Sequence, residues 1–406
     1  MTKTYKTIDK PIVVAVGLFI PGNSFTRVFE SLFEQLSLFY TIHWLGIAYK
    51  QEKEERKYYT LHPCNVKGGD MFGAYESAIL ARELKAKCIL LLNDFYLLKN
   101  YELAWKPLKN EGIKLLAYVP LDGEIIDESI VRDCLFLDKL ILYNQWAKDQ
   151  VEKAIEKFSG KQKVVAEKIP ELGFCYHGVD RNVFRPATSV TEKKRAKEKV
   201  FSIPDAGNAL FILNANRYNE RKDIETTIQA FANAVPLFNR HTCLVLHTPN
   251  IKPHLKEQLQ KLLNDSGVPD RILLNPLGEE YADDTELVKL YQACDIGMNT
   301  SLGEGWGMIS FEHAACGAAQ LIPGHTGQHE LWENAGIIVK ADIPVKLDTN
   351  PFQMYKTSPV CLAEELVKLV NDDIYRSSVV GKCASHTSEK KFSWAYIADR
   401  WKEYIN

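Results

Sequence analysis

The chain has 406 residues, and at roughly 100–200 residues per domain this length predicts two to three domains. Its hydrophobic fraction of 46 % and charged fraction of 25 % are typical of a globular protein and exclude a disordered chain, a collagen-like repeat and a small disulfide scaffold. Lys and Arg number 50 and Asp and Glu 52, so the formal net charge of -2 does not favour nucleic acid, because proteins that bind polyanions usually carry a basic excess.

Short apolar runs alternate with helical patterns through the first half of the chain. Strands are predicted at residues 12–16, 41–48, 88–92, 114–119 and 137–143. Helices are predicted at residues 24–39, 71–84 and 147–158. This alternation, with continuous apolar strands, predicts a parallel, doubly wound α/β sheet.

The same alternation restarts after a charged segment between Pro186 and Pro204, which is the predicted domain boundary. Strands are predicted at residues 210–214, 242–247, 271–274, 296–299, 321–323 and 336–339. Helices are predicted at residues 224–234, 254–263, 285–293 and 309–315. Two doubly wound, Rossmann-like domains would enclose a cleft, and ligands of open α/β sheets bind where strands end.

The nine cysteines are scattered and form no Cys-x-x-Cys pair. This usage predicts reduced, buried thiols and a cytoplasmic protein. No apolar run reaches the roughly 18 residues of a membrane-spanning helix. Residues 11–20 are interpreted as a first strand, because PGNSF follows them in place of a cleavage site for a secretion signal.

The strongest local motif follows a predicted strand and reads SLGEGWGMISFE. Gly305 and Gly307 allow close backbone approach at a helix start, a place that accepts anions. Glu304 lies in the loop and Glu312 about one turn inside the helix, where a carboxylate can bind vicinal hydroxyls. A helix start with solvated acids is an equally good interpretation of this motif alone.

A second motif, NANRYNERKD, also directly follows a predicted strand. Arg217 and Lys222 are two cations beside a helix start, which together form a diphosphate clamp. The alternative is a solvated loop whose charges pair locally. The position of Arg217 at the strand end favours a functional role, whereas Arg221 is predicted to be a surface residue.

Two loops of the first half are weaker candidates. The loop after the first strand lacks Gly-x-Gly-x-x-Gly and so does not support dinucleotide binding, although Gly22 lies where a loop can meet a ligand. Asp122 follows another strand in YVPLDGE, where an acid can face the cleft. Its Pro-x-Asp-Gly context is also that of an ordinary turn.

These motifs resemble, in order and spacing, the retaining GT-B glycosyltransferases of glycosyltransferase family 4. The segments that carry the resemblance are HGVDRNVFRP, NANRYNERKD, EGWGMISFE, GHTGQHELWENAGIIV and the terminal FSWAYIADRWKEY. The resemblance is strong from about Phe174 onward. It implies a GT-B fold with an acceptor-binding domain at residues 1–186, a nucleotide-sugar-binding domain at residues 187–391, and a helix at residues 392–406 that crosses back.

The resemblance also implies roles for individual residues. Arg217 and Lys222 would neutralise the nucleotide diphosphate, Glu304 would hold hydroxyls of the donor sugar, and Glu312 would hold the ribose diol. Asp122 falls where many members carry a catalytic-site His or Asp, so it joins Glu304 and the two cations as a catalytic residue. Further donor contacts are implied for Gly22, Gly305, Trp306, Gly307, Met308 and Ile309.

Two positions bear on the surroundings of this site. Glu330 matches an acid of the family with a structural or donor-supporting role. The family's usual Gly-Phe-Gly-Leu-Pro is here Gly-Trp-Gly-Met-Ile, so Trp306 and the lost proline would reshape the sugar pocket.

The predicted mechanism follows from the charges of the reaction. Breaking the anomeric bond of the donor leaves negative charge on the diphosphate. Arg217, Lys222 and the amides at the helix start would stabilise this charge. A phosphate oxygen of the leaving group can take the acceptor proton on the same face, which gives retention. The chain has no Asp-x-Asp, so neither a metal nor another cofactor is expected. His325 and His329 have the spacing of a helical metal pair, but they lie in a Gly-flanked loop and are interpreted as non-ligating.

The sequence therefore predicts a retaining, metal-independent transfer of a hexose from a UDP- or GDP-linked sugar to a hydroxyl of a glycan, lipid or other acceptor. The alternatives are an epimerase or hydrolase of the same fold, a non-enzymatic sugar-nucleotide-binding protein, and a glycosyltransferase that acts on DNA or protein. Peripheral membrane contact is a further alternative, because the segments at residues 153–168 and 193–199 are basic. Both segments also contain Glu, so they are interpreted as solvated helix faces.

Overall fold

An eight-stranded sheet organises the first half of the chain in a computed structural model that describes residues 10–64, 68–162 and 169–406. Its strands are β1 (Ile12–Leu18), β2 (Thr41–Ile47), β3 (Glu54–Glu55), β4 (Thr60–Pro63), β5 (Cys88–Leu92), β6 (Lys114–Val119), β7 (Lys139–Leu142) and β8 (Glu171–Phe174). They lie in the order β3-β4-β2-β1-β5-β6-β7-β8, and every neighbouring pair is parallel except β3 and β4. Strands β5, β6 and β7 therefore end side by side at one edge of the sheet.

Helices cover this sheet, as the alternating pattern predicts. They are α1 (Ser24–Leu36), α2 (Ala74–Glu83), α3 (Glu102–Trp105) and α4 (Gln145–Gln162). Helix α1 starts at Asn23, whose side chain accepts a hydrogen bond from the Phe25 amide, and it buries one apolar face that includes Phe29 and Phe33.

A six-stranded, all-parallel sheet organises the second half, in the order β11-β10-β9-β12-β13-β14. Its strands are β9 (Leu210–Asn214), β10 (Thr242–Leu246), β11 (Ile272–Leu274), β12 (Ile296–Met298), β13 (Ala319–Pro323) and β14 (Ile337–Val339). The helices are α5 (Val190–Val200), α6 (Ile224–Ala234), α7 (Pro253–Asp265), α8 (Asp284–Ala293), α9 (Met308–Ala315), α10 (Thr326–Trp332), α11 (Pro359–Asn371), α12 (Asp373–Thr387) and α13 (Trp394–Ile405). The predicted α/β class with two doubly wound sheets is confirmed.

The last helix, α13, lies against the first half of the chain. It packs on α1, and the Tyr404 hydroxyl donates a hydrogen bond of 2.8 Å to the Phe174 carbonyl oxygen. The Lys87 ammonium reaches the Asn406 side chain at 2.7 Å. The domain limits at residues 186 and 391 stay predictions.

An antiparallel hairpin of the second half was not predicted. It consists of β15 (Ala341–Lys346) and β16 (Gln353–Thr357). The backbones of Glu124 and Gln353 exchange two hydrogen bonds of 2.9 and 3.0 Å, and Phe352 is buried beside Phe95. The hairpin thus fastens the second half of the chain to the loop that follows Asp122.

The charged segments of the sequence fall on helices. Residues 153–162 belong to α4, and the rest of that basic segment lies outside the described ranges. Residues 193–199 lie on α5, where Lys197 is buried and pairs with Asp295 at 2.8 Å. The interpretation of that segment as a wholly solvated face is therefore wrong at Lys197.

Eight of the nine thiols are buried, as predicted, whereas Cys361 is exposed. Within the described residues, no helix has both the length and the apolar character needed to cross a membrane.

Candidate active site

A cavity of about 390 Å³ lies between the two sheets and collects nearly all the residues that the sequence singles out. The predicted residues that line it are Gly22, Asp122, Arg217, Lys222, Glu304, Gly305, Trp306, Gly307, Met308 and Ile309. Glu312 is not among the lining residues. The loops converge because each follows a parallel strand, and the strands of each sheet end on the side of the cleft.

Lys222 and Glu304 form a largely buried ion pair in the cavity wall, with side chains 11 % and 13 % exposed. Burial by itself would raise the pKa of Glu304, but the charges of Lys222 and Arg221 outweigh it and lower that pKa to about 2. Glu304 is therefore ionised at any physiological pH. An ionised carboxylate is the stronger acceptor for sugar hydroxyls.

Helix α9 starts beside this pair, at Gly307. The φ of Gly307 is 83°, and an added Cβ would overlap the Gln328 side chain, so only glycine fits. The first amides of α9, at Met308 and Ile309, precede the point where intrahelical bonds begin. They form a partial positive charge at the cavity wall, which suits an anion.

Arg221 lines the cavity, so its prediction as a surface residue is wrong. Its guanidinium donates to the Gly303 carbonyl oxygen at 2.6 Å and lies 3.5 Å from Asp122 and 3.6 Å from Glu304. The reason is a turn capped by Asn219, whose side chain accepts a 3.1 Å hydrogen bond from the Lys222 amide. This turn directs two consecutive cations toward the cleft.

Arg217 differs from the other cations of the cavity. It is exposed, it lines the cavity, and no ion pair of the described residues includes it. A charge without a protein partner is available to a ligand, so Arg217 is the best-placed group for binding an incoming anion.

Asp122 connects the two halves of the chain at the cavity. Its side chain accepts a 3.1 Å hydrogen bond from the Gly305 amide. Burial raises the pKa of Asp122, although the nearby Arg221 opposes this shift. The Gly303 backbone approaches the Asp122 carbonyl oxygen so closely that a Cβ at residue 303 would overlap that oxygen.

Glu312, the eleventh predicted residue, is buried in α9 behind the cavity wall. Its carboxylate accepts hydrogen bonds of 2.6 and 3.3 Å from the Arg27 guanidinium, which lies 3.0 Å from Asp284 as well. Arg27 comes from α1, so this pair also joins the two halves. The contact of Glu312 with a ribose stays a prediction.

Glu330 also joins the halves of the chain. Its carboxylate accepts the amides of Gln145 and Trp146 at 3.3 and 2.5 Å, at the start of α4, and the Tyr176 hydroxyl at 2.9 Å. An acid at a helix start satisfies amides that have no intrahelical partner. This position agrees with a supporting function.

The two histidines with the spacing of a metal pair are occupied by other contacts. His325 is buried and lies 2.9 Å from the Ser301 carbonyl oxygen, and His329 forms a surface contact with Glu333. In the described ranges, no group of three or more His, Cys, Asp or Glu side chains is arranged to hold a metal ion. His177 is buried, and burial lowers its pKa to about 3.

Among the cavity-lining residues that the sequence analysis missed, three titratable residues lie just after strands. They are Asp94, Tyr143 and His247, which follow β5, β7 and β10. Arg217 and Asp122 were predicted by the rule that polar residues just after strands face the cleft. The same rule would have identified these three residues. Burial, helped by the charge of Asp122, raises the pKa of Asp94 to about 6.

Asp94→Asn is expected to stabilise the protein at neutral and alkaline pH. Because the pKa of Asp94 is raised on folding, the folded state holds this proton more tightly, and ionisation costs stability as the pH rises from about 4 to 6. Removing the charge should therefore gain about 1–3 kcal/mol above pH 7 and little at pH 4. Thermal unfolding across this range, with the exposed Asp265→Asn as control, measures the effect. A gain that does not change with pH would contradict the assignment.

Comparisons with known proteins agree with this architecture. No protein-family model matches the chain. It is 28 % identical over 209 residues to the serotype-specific mannosyltransferase WbdA of Escherichia coli, which covers 51 % of this chain and 22 % of the relative. The chain thus matches less than a quarter of the length of this curated relative.

Solved structures match nearly the whole chain. Sucrose-phosphate synthase from Thermosynechococcus elongatus superposes with a TM-score of 0.72 at 14 % identity, covering 97 % of this chain and 98 % of that structure. Anabaena HepE, solved with UDP and glucose, superposes with a TM-score of 0.69 at 14 % identity, covering 97 % and 99 %. The fold is that of the GT-B glycosyltransferases.

Proposed function

We propose that the chain is a glycosyltransferase that binds a nucleoside-diphosphate hexose in this cavity and transfers the hexose, with retention, to an acceptor hydroxyl. The observation that carries the proposal is the arrangement around Arg217. An unpaired guanidinium, a buried Lys222–Glu304 pair and the start of α9 line one cavity. Cations and free amides suit a diphosphate, and the carboxylate suits a sugar.

The diphosphate would lie between Arg217 and the start of α9. Arg217 supplies a charge that forms no ion pair with a carboxylate of the described residues, and the amides of Met308 and Ile309 would supply hydrogen bonds to phosphate oxygens. As the glycosidic bond breaks, negative charge grows on this group, so the same contacts stabilise the transition state.

The donor sugar would lie toward Glu304 and Asp122. Glu304 is held by Lys222, and Asp122 by the Gly305 amide and the Arg221 charge. The lowered pKa of Glu304 makes its carboxylate a weak base and a weak nucleophile, and both carboxylates can accept hydrogen bonds from hydroxyls. This supports a mechanism in which a phosphate oxygen of the leaving group takes the acceptor proton on the same face.

The comparisons support the class of donor. HepE was solved with UDP and glucose, and WbdA is named as a mannosyltransferase. We therefore favour UDP- or GDP-linked hexoses as donors and a sugar or another hydroxyl compound as acceptor. We propose that the transfer reaction does not require a metal ion.

A thermal-shift panel tests this proposal. We expect UDP or GDP, but not the corresponding monophosphate, to raise the melting temperature in the presence of EDTA. A ligand at 100 times its Kd adds about 2.7 kcal/mol. An epimerase or hydrolase would consume the nucleotide sugar without an acceptor at the full rate, whereas a transferase would need the acceptor. No shift with any nucleoside diphosphate would overturn the proposal, and a shift that EDTA abolishes would overturn its metal independence.

A further inference from the structure

We infer that Asp94 and the Tyr143 hydroxyl form the acceptor subsite, and that this subsite takes an uncharged sugar end and rejects phosphorylated or carboxylated sugars. The inference rests on the proposed function. It concerns the part of the cavity wall that the first sheet supplies, whereas Arg217 and α9 belong to the second half of the chain.

Three neighbouring strands place polar groups at this wall. Asp94 follows β5, Asp122 follows β6 and Tyr143 follows β7, and these strands are adjacent in the sheet. The three side chains therefore share one edge and border one cavity. Since the proposed diphosphate contacts all come from the second half of the chain, we place the acceptor against the groups that the first sheet supplies.

The Tyr143 hydroxyl is a buried group without a partner. Only 3 % of Tyr143 is exposed, and its hydroxyl makes no hydrogen bond within the described residues. The ring is fixed between Tyr118 and His177, with centroids 4.6 and 4.2 Å away. An unsatisfied buried hydroxyl costs free energy, and a ligand oxygen that accepts its proton would remove that cost.

The Asp94 carboxylate supplies a hydrogen-bond acceptor beside the Tyr143 donor. It receives the Tyr96 hydroxyl at 3.2 Å, and no cation of the described residues forms an ion pair with it. The charges that act on it come from Asp122, Arg221 and Arg217, and burial is the largest influence on its pKa. A sugar hydroxyl can donate to Asp94 and another sugar oxygen can accept from Tyr143.

The charge distribution of the cavity excludes an anionic acceptor. Four cations line the cavity, and three are engaged: Arg27 with Glu312 and Asp284, and both Arg221 and Lys222 with Glu304. The fourth is Arg217, which the diphosphate would neutralise. A phosphate on the acceptor would find no free cation at the first-sheet wall and would face the Asp94 carboxylate. Such a like-charge contact selects against the wrong partner.

The experiment compares acceptors on the full chain. Calorimetry with the protein saturated by its nucleoside diphosphate should detect binding of a methyl hexoside and none of a hexose 6-phosphate or a hexuronic acid. Transfer assays should show the same preference. Absence of binding by every neutral methyl hexoside, or an equal or better response to the hexose phosphate, would overturn the inference.

Two variants locate the subsite. Asp94→Asn and Tyr143→Phe should each raise the KM for a neutral acceptor about 10-fold or more, the usual effect of losing such a hydrogen bond. Both should leave the KM for the donor in slow donor hydrolysis within about 2-fold. The exposed substitutions Asp265→Asn and Tyr375→Phe serve as matched controls. A raised donor KM with an unchanged acceptor KM would assign these groups to the donor and overturn the inference.

The inference can fail independently of the proposed function. If no nucleoside diphosphate stabilises the chain and no donor is hydrolysed, the proposed function itself fails. If the nucleotide binds and the sugar is transferred to a hexose phosphate, the proposed function stands and only the assignment of the acceptor is wrong.

Discussion

Arg217→Ala is expected to lower the transfer rate by about 100- to 1,000-fold, the usual effect of removing one group that stabilises a developing anion. Arg217 is exposed and forms no ion pair within the described residues, so its loss leaves no buried charge unpaired. The melting temperature should therefore stay unchanged while binding of the nucleoside diphosphate weakens. Steady-state kinetics with titration of the diphosphate measure both effects.

The control for Arg217→Ala is Arg195→Ala, which removes an exposed guanidinium from α5, away from the cavity. It should leave both rate and binding unchanged. Arg217→Lys should recover only part of the rate, because an ammonium cannot form the paired hydrogen bonds of a guanidinium. Wild-type turnover in Arg217→Ala would contradict the placement of the diphosphate.

Lys222→Met is expected to abolish transfer and also to destabilise the protein. The substitution leaves the largely buried Glu304 carboxylate without its ammonium partner. Breaking a buried pair from one side typically costs about 3–5 kcal/mol. Thermal unfolding should therefore show a clear loss, in contrast to Arg217→Ala.

The double variant Lys222→Met with Glu304→Gln separates stability from function. Neutralising both partners should recover most of the lost stability, because no isolated charge stays buried, yet activity should not return. Lys197→Met, which removes a buried lysine paired with Asp295, is the matched control. It should destabilise the fold without reducing the activity of the molecules that remain folded. Recovered transfer in the double variant would mean that the pair has only a structural role.

The alternation of strands and helices could be predicted from the sequence because it depends on neighbours along the chain. Strands β5, β6 and β9 and helix α6 have the predicted bounds. Each is an apolar run or an amphipathic period bounded by polar residues. The hairpin of β15 and β16 was missed, because most of β15 is exposed and the strand has no apolar run that a sequence pattern could reveal.

Cavity-lining residues were predicted where one rule was applied and were missed where it was not. Residues just after strands line the cavity, and the rule found Arg217 and Asp122 but was not extended to Asp94 and Tyr143. Arg221 was missed for a different reason. Nothing in NANRYNERKD reveals that Gly303 and Asp122 will lie opposite it, since the partners of a buried cation are set by tertiary packing.

The contact between Gly303 and the Asp122 carbonyl oxygen limits how the ligand preference of this cavity could diverge. A larger residue at position 303 would push apart the two loops that carry Glu304 and Asp122, and so would cost the assembly of the whole cavity. Changes of ligand choice would then arise at side chains that line the cavity and are not packed in the core, such as the partly buried Met308. Residue 303 must stay glycine to keep the two loops together, whereas cavity-lining side chains elsewhere can be substituted without separating them.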